Sequence, residues 1–299
     1  MRKMIVRFLT LNILVLILGF VVVSTSHLRT GRKARALYSN FSPVHEAGRV
    51  VRIESYYHET ADFCTGVLLS ETVVLTAAHC IYRSDAHGPP TKIVVNGNGH
   101  VSTVRGSSGK AIKHAKYTYD PSRSTINANV MCYDVALIFL KKRIPISSNL
   151  PKMVVDCSTI YTERSCSGHG AGLTELNDLS RSIRRVPLPS LKSPTHPFNA
   201  PGCLETRYIG NERLCQGDSG GPVFCKRRSS KVYSLVGISV QVIGEKEEEG
   251  NFTIADSCKY SVGAIVSNTV AIAECMVSQL PRLLQKGVLA SVPFINCPI

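Results

Sequence analysis

Three segments of the chain carry side chains whose types suit nucleophilic catalysis. Ser219 lies in Cys215-Gln216-Gly217-Asp218-Ser219-Gly220-Gly221-Pro222. Glycine tolerates positive φ, and closely spaced glycines let backbone N–H groups converge on one point. A serine needs that setting, because its hydroxyl attacks only when a base takes its proton and donors stabilise the resulting oxyanion. Alone, the segment reads equally well as a glycine-rich hairpin with an incidental serine. His79 ends Leu75-Thr76-Ala77-Ala78-His79-Cys80, where two small residues leave room beside the ring. A lone histidine there is more often packed structure than a base. Asp134 opens Asp134-Val135-Ala136-Leu137-Ile138, and a single acid at a strand end is usually a turn residue. Together the three supply nucleophile, base and orienting acid, and the combination outweighs the separate structural readings.

The elements that must position these residues are short and β-rich. Apolar or alternating runs at 49–53, 66–69, 73–76, 92–95, 135–140, 223–225 and 232–240 are separated by Gly, Pro, Ser and Asn clusters, the pattern of a sandwich or barrel. Helical spacing is convincing only from about 271 to 284, and Pro281 should kink or break it. Residues 87–98 and the proline-rich 187–202 read as long surface loops. No internal repeat is visible. The expectation is an all-β protein with a C-terminal helix.

At its histidine and serine segments the sequence resembles the chymotrypsin/trypsin family of serine proteases; the shorter aspartate motif rests on its place between them. The resemblance runs from about Ala36 to the terminal helix and is weak after Cys258. It implies two packed antiparallel six-stranded β-barrels with the site between them. It also implies that Ser219 attacks the scissile carbonyl, His79 shuttles the proton, Asp134 orients the imidazole, and the N–H groups of Gly217 and Ser219 form the oxyanion hole. Disulfides Cys64–Cys80, Cys166–Cys225 and Cys215–Cys258 follow from the same resemblance, whereas Cys132, Cys157, Cys203, Cys275 and Cys297 have no assignment, since spacing does not fix connectivity.

The chain also departs from that family. Relatives are cut to expose a terminus beginning Ile-Val-Gly-Gly, whose amino group pairs with the acid before the serine. Asp218 is in place as that acid, but the best-placed start here is Ala36, after Arg32-Lys33-Ala34-Arg35. There is no tryptophan; Ala171 and Gln241 stand where relatives commonly have one, and Val240 stands where a serine usually supports the aspartate. The family's spacing puts Arg213 at the floor of the primary specificity pocket, with Val242 narrowing its entrance, so Lys or Arg should not be preferred before the scissile bond and an acidic side chain could pair there; the alternative is that Arg213 points to solvent because the loop from Cys203 to Cys215 is shorter than usual. A loop rich in glutamate, 245–249, could fold back toward Arg213.

Residues 1–26 read as a signal peptide, with basic residues, an apolar run from 8 to 23 and then small residues; a membrane anchor is the rival reading. Residues 27–35 follow as a propeptide and 36–299 as the peptidase domain. Eleven cysteines and the acceptor triplets at Asn40 and Asn251 fit a secreted, extracellular glycoprotein. The formal charge of +14 is misleading: seven basic and no acidic residues lie in 1–35, leaving +7 for the remainder. Its short clusters lack aromatic platforms, which argues against nucleic acid as a partner. No paired ligand spacing points to a metal. No cofactor and no stable membrane association are expected. The expected partners are protein or peptide substrates, with an activating protease and inhibitors. The alternative is a weakly active or inactive relative acting as a binding protein in an extracellular cascade.

Overall fold

The computed structural model describes residues 40–41, 47–58, 60–82, 89–105, 111–118, 131–150, 152–157, 165–173, 179, 182–194, 202–226, 232–244, 258, 261–280 and 282–297. The readings of 1–26 and 27–35, Ala36, Asn251 and the 245–249 loop lie outside them. All described residues belong to one compact unit, 36–299.

Strand β1 (Asn40–Phe41) joins the second of two sheets. The first sheet is built from β2 (Val50–Tyr56), β3 (Ala61–Ser70), β4 (Val73–Thr76), β5 (Lys92–Gly97), β6 (His100–Arg105), β7 (Ala111–Lys113) and β8 (Ala136–Phe139). Its order is β6-β5-β2-β3-β4-β8-β7, and every pairing is antiparallel. In β5, buried Ile93 and Val95 alternate with half-buried neighbours, as a strand with one face in the core requires. β5 fits the β-rich run expected at 92–95, so the loop expected over 87–98 does not extend through it. β4 is buried along its whole length, which reads in sequence as an unbroken apolar run.

The second sheet comprises β9 (Met153–Asp156), β10 (Ser165–Gly170), β11 (Arg184–Leu188), β12 (Cys203–Arg207), β13 (Pro222–Lys226), β14 (Tyr233–Gly244), β15 (Ser261–Asn268) and β16 (Phe294–Ile295), together with β1. Its main path is β1-β11-β10-β13-β14-β15-β12, with β9 parallel to β14 and to β16. The two halves form the mostly β, two-barrel-like architecture that the resemblance implies, with seven and nine strands in the two sheets among the described residues. β10, β11 and β12 escaped the sequence reading because they mix Arg, His, Ser, Glu and Gly with few apolar residues.

Among the described residues the C-terminal helical segment holds two helices, α1 (Thr269–Gln279) and α2 (Arg282–Ser291), with Pro281 between them in sequence. Proline has no N–H and clashes with the preceding turn, so it cannot continue α1. Asn268 caps α1, its side-chain oxygen accepting from the N–H groups of Val270 (3.0 Å) and Ala271 (3.2 Å). Disulfides join Cys64–Cys80, Cys166–Cys225, Cys215–Cys258, Cys132–Cys203 and Cys157–Cys297. Cys275 remains a thiol inside α1, and burial pushes its pKa up to about 12.

Candidate active site

β4 ends in a 3-10 turn, Ala78–Cys80, which carries His79. Ala77 and Ala78 are fully buried, so a larger residue at either position would displace the turn. The Cys64–Cys80 bridge ties the turn to β3, and Ser55 Oγ donates to the Cys80 carbonyl at 2.7 Å. Asp134 precedes β8, the strand paired with β4, and is 5% exposed. Its carboxylate accepts twice from His79: Oδ1 from the backbone N–H at 2.8 Å and Oδ2 from Nδ1 at 2.5 Å. An ionised carboxylate only accepts, so the Nδ1 proton is fixed and Nε2 keeps its lone pair. Burial disfavours a charged His79, but the Asp134 charge and hydrogen bond, with Asp62 behind them, outweigh it and raise the pKa above 6.5.

Ser219 lies on the loop before β13 and lines a cleft of about 360 Å³ with His79, Asp134, Gln216 and Gly217. The structure therefore brings His79, Asp134 and Ser219 to one cleft. The loop is built as its glycines suggest. Gly217 and Gly220 have φ of +92° and +77°, and a Cβ on Gly220 would stand 2.1 Å from Thr76 Oγ1. The N–H groups of Asp218, Gly220 and Gly221 donate to the carbonyls of Cys215, Ser239 and Asp218. Among the described residues, those of Gly217 and Ser219 take no acceptor. Two donors from one loop are thus available to a developing oxyanion.

Asp218 points away from the cleft. Its carboxylate accepts from Gly172 N at 2.7 Å and Cys215 N at 2.8 Å. Burial raises its pKa to about 6, against the lowering effect of those two bonds and of the Arg184 charge. Gly170 and Gly172 make room for it: a Cβ on either would come within 2.1 or 2.6 Å of Oδ1.

A second cavity, about 210 Å³, opens beside Ser219 and is lined by Leu214, Cys215, Ser239, Val240, Val242 and Cys258 among others. Val242 is part of its wall. Arg213 is not among the residues that line this cavity, so its expected place at the pocket floor does not hold. Leu214, 2% exposed, lines it instead. The Arg213 guanidinium lies 4.8 Å from the centre of the Tyr208 ring and donates to the carbonyls of Gly210 and Glu212. It borders a separate small space next to Asp218 and Arg184. Asn40 opens β1, opposite Arg185 of β11.

Sequence reasoning missed Thr65, which is fully buried in β3. Its N–H donates to Ser219 O at 2.9 Å, and its Oγ1 donates to Gly217 O at 2.7 Å. No signal in the sequence marks it beyond its place after Cys64. Cys64, His79 and Cys80 also cluster within 4.8 Å, but the two sulfurs are bonded to each other and offer no thiolate ligand.

The family model described as Trypsin matches residues 45–261. Trypsin I-P1 of Gallus gallus is 31% identical over 192 residues, covering 62% of this chain and 71% of the relative. Trypsin-3 of Salmo salar is 30% identical over 190 residues, covering 61% and 74%. A solved structure of HL collagenase superposes with a TM-score of 0.55 over 78% of this chain and 93% of its own, at 15% identity, a likeness of fold. The chain belongs to the trypsin family and is a serine endopeptidase.

Proposed function

We propose that this chain is a secreted endopeptidase that cleaves peptide bonds through an acyl-enzyme on Ser219, after a residue that is neither Lys nor Arg. The observation that carries the reading is the pair of bonds from His79 to the buried Asp134 carboxylate, in the cleft that Ser219 lines. With Nδ1 protonated, Nε2 takes the Ser219 proton as Oγ attacks the carbonyl carbon. The negative carbonyl oxygen is received by the N–H groups of Gly217 and Ser219. His79 then gives its proton to the leaving amine, the C–N bond breaks, and water repeats the sequence to release the acid and restore Ser219.

Specificity is read from the cavity beside Ser219. Its described walls are apolar or neutral apart from Asp218, whose carboxylate is already held by two N–H groups. A cationic side chain would lose its hydration there without gaining a free carboxylate, which costs several kcal/mol. Small to medium neutral residues fit the narrowing by Val242. Five disulfides suit an oxidising compartment, and no described helix is long and apolar enough to cross a membrane. Asp218 is read as the acid that receives the amino group freed at Ala36.

The test is labelling with a fluorophosphonate before and after proteolytic removal of residues 1–35. The chain should become labelled and cleave peptides, and Ser219→Ala should do neither while still folding. Equal labelling of the variant would refute the assignment of Ser219. A correctly processed, folded chain that resists the probe would favour the binding-protein alternative.

A further inference from the structure

Glycine is the most permissive residue of the backbone, so an oxyanion hole that uses Gly217 N–H needs outside restraints to hold its direction. Each peptide plane around the two proposed donors is restrained by its carbonyl. The Gln216 carbonyl accepts from Leu173 N at 2.8 Å. The carbonyls of Gly217 and Ser219, the two donor residues themselves, are both held by Thr65. The hydroxyl has one proton to give. Ala171 N–H donates to Thr65 Oγ1 at 3.1 Å, so that proton is committed to the Gly217 carbonyl at 2.7 Å. The strand carbonyl of Thr65 is itself fixed, accepting from Thr76 Oγ1 at 2.8 Å, three residues before His79. Thr65 is 0% exposed, so water cannot take over these bonds. One residue in the first sheet thus joins the serine loop and the Ala171-Gly172 segment that supports Asp218 through its hydroxyl, and the strand before the base through its backbone carbonyl.

We infer that Thr65 is a positioning residue for catalysis: its buried hydroxyl, bonded to the Gly217 carbonyl and to Ala171 N–H, holds the oxyanion donors of Gly217 and Ser219 in register with the nucleophile. This rests on the proposed roles of Gly217 and Ser219. Thr65→Val keeps the β-branched shape and the backbone N–H bond to Ser219 O, and removes only the hydroxyl. Misplacing catalytic groups by about 1 Å costs on the order of 100-fold, so kcat should fall about 10- to 100-fold. KM should change by less than about threefold, because the hole is filled by the transition-state oxyanion. Thr65→Ser, which keeps the hydroxyl, should recover most of kcat.

The experiment measures kcat and KM of the processed wild type, Thr65→Val and Thr65→Ser on one neutral peptide substrate. It is paired with amide hydrogen exchange over residues 215–221 of the full chain. Faster exchange in Thr65→Val, reversed in Thr65→Ser, together with the selective loss of kcat, is the expected result. Unchanged kcat in Thr65→Val, or equal loss in both variants, would overturn the inference. A wild type that is never labelled at Ser219 would overturn the proposed function instead, and the exchange measurement would still decide whether Thr65 orders the loop. Should Thr65→Val fail to fold, Thr65→Ser and Thr65→Ala are compared in the same way; equal kcat and equal exchange in those two would overturn it.

Discussion

Replacing Asp134 by asparagine keeps the size of the side chain and removes one of its two acceptor oxygens. The wild-type carboxylate serves two donors of His79, the backbone N–H at 2.8 Å and Nδ1 at 2.5 Å. Asparagine has one oxygen and one NH2. If the oxygen stays on the backbone N–H, the NH2 faces Nδ1, the ring must accept there, and its proton moves to Nε2, where it cannot take the Ser219 proton. If the amide is flipped, its NH2 meets the backbone N–H and a buried donor goes unsatisfied, at about 1–3 kcal/mol. The productive tautomer is therefore rarer by up to about 100-fold, since each 1.4 kcal/mol is a factor of ten. The imidazolium formed in the transition state also loses the adjacent negative charge, and the two losses together approach the roughly 10⁴-fold typical of a wrong histidine tautomer in a Ser-His-Asp site. The His79 pKa should fall as well, because the charge and bond that raise it against burial are gone. The assay is kcat/KM of processed Asp134→Asn on a neutral peptide amide from pH 5 to 9. Activity within tenfold of wild type at pH 8 would refute the assignment of Asp134.

Asp62 lines the cleft and its charge raises the His79 pKa, so Asp62→Asn should move the acid limb of the pH–rate profile to lower pH; a shift upward would contradict this. Asp218 has a folded pKa of about 6, above its ordinary 3.8. Its contribution to stability is then fully present below about pH 3.8 and lost as pH rises through 6. In unprocessed chain, the urea-unfolding difference between wild type and Asp218→Asn should change by about 2–3 kcal/mol from pH 4 to 7; a constant difference would refute this. Val242→Gly removes a wall of the cavity beside Ser219 and should raise the Phe-over-Ala preference before the scissile bond about tenfold; an unchanged ratio would show that Val242 does not limit the site.

Much of the site was legible because its requirements are local. A nucleophile in a tight loop needs glycines at positive φ, and Gly217 and Gly220 have it. A base at a strand end needs small neighbours, and Ala77 and Ala78 are buried beside His79. Strands with one buried face announce themselves by alternation, as β5 does, and Pro281 marks the end of α1. Other features depend on which surfaces meet, and no window of sequence contains that. The Cys132–Cys203 and Cys157–Cys297 bridges span 71 and 140 residues and could be paired only once the strands were in place. Family spacing aimed Arg213 at the specificity cavity, but its guanidinium lies over the Tyr208 ring and donates to the Gly210 and Glu212 carbonyls, contacts that alignment by spacing does not contain. Thr65 is 152 residues from the carbonyl its hydroxyl holds. Sequence alone determined which residues could do the chemistry, since that is set by side-chain type and local backbone freedom; only the packing of β3 against the serine loop decided that Thr65 meets the carbonyls of Gly217 and Ser219.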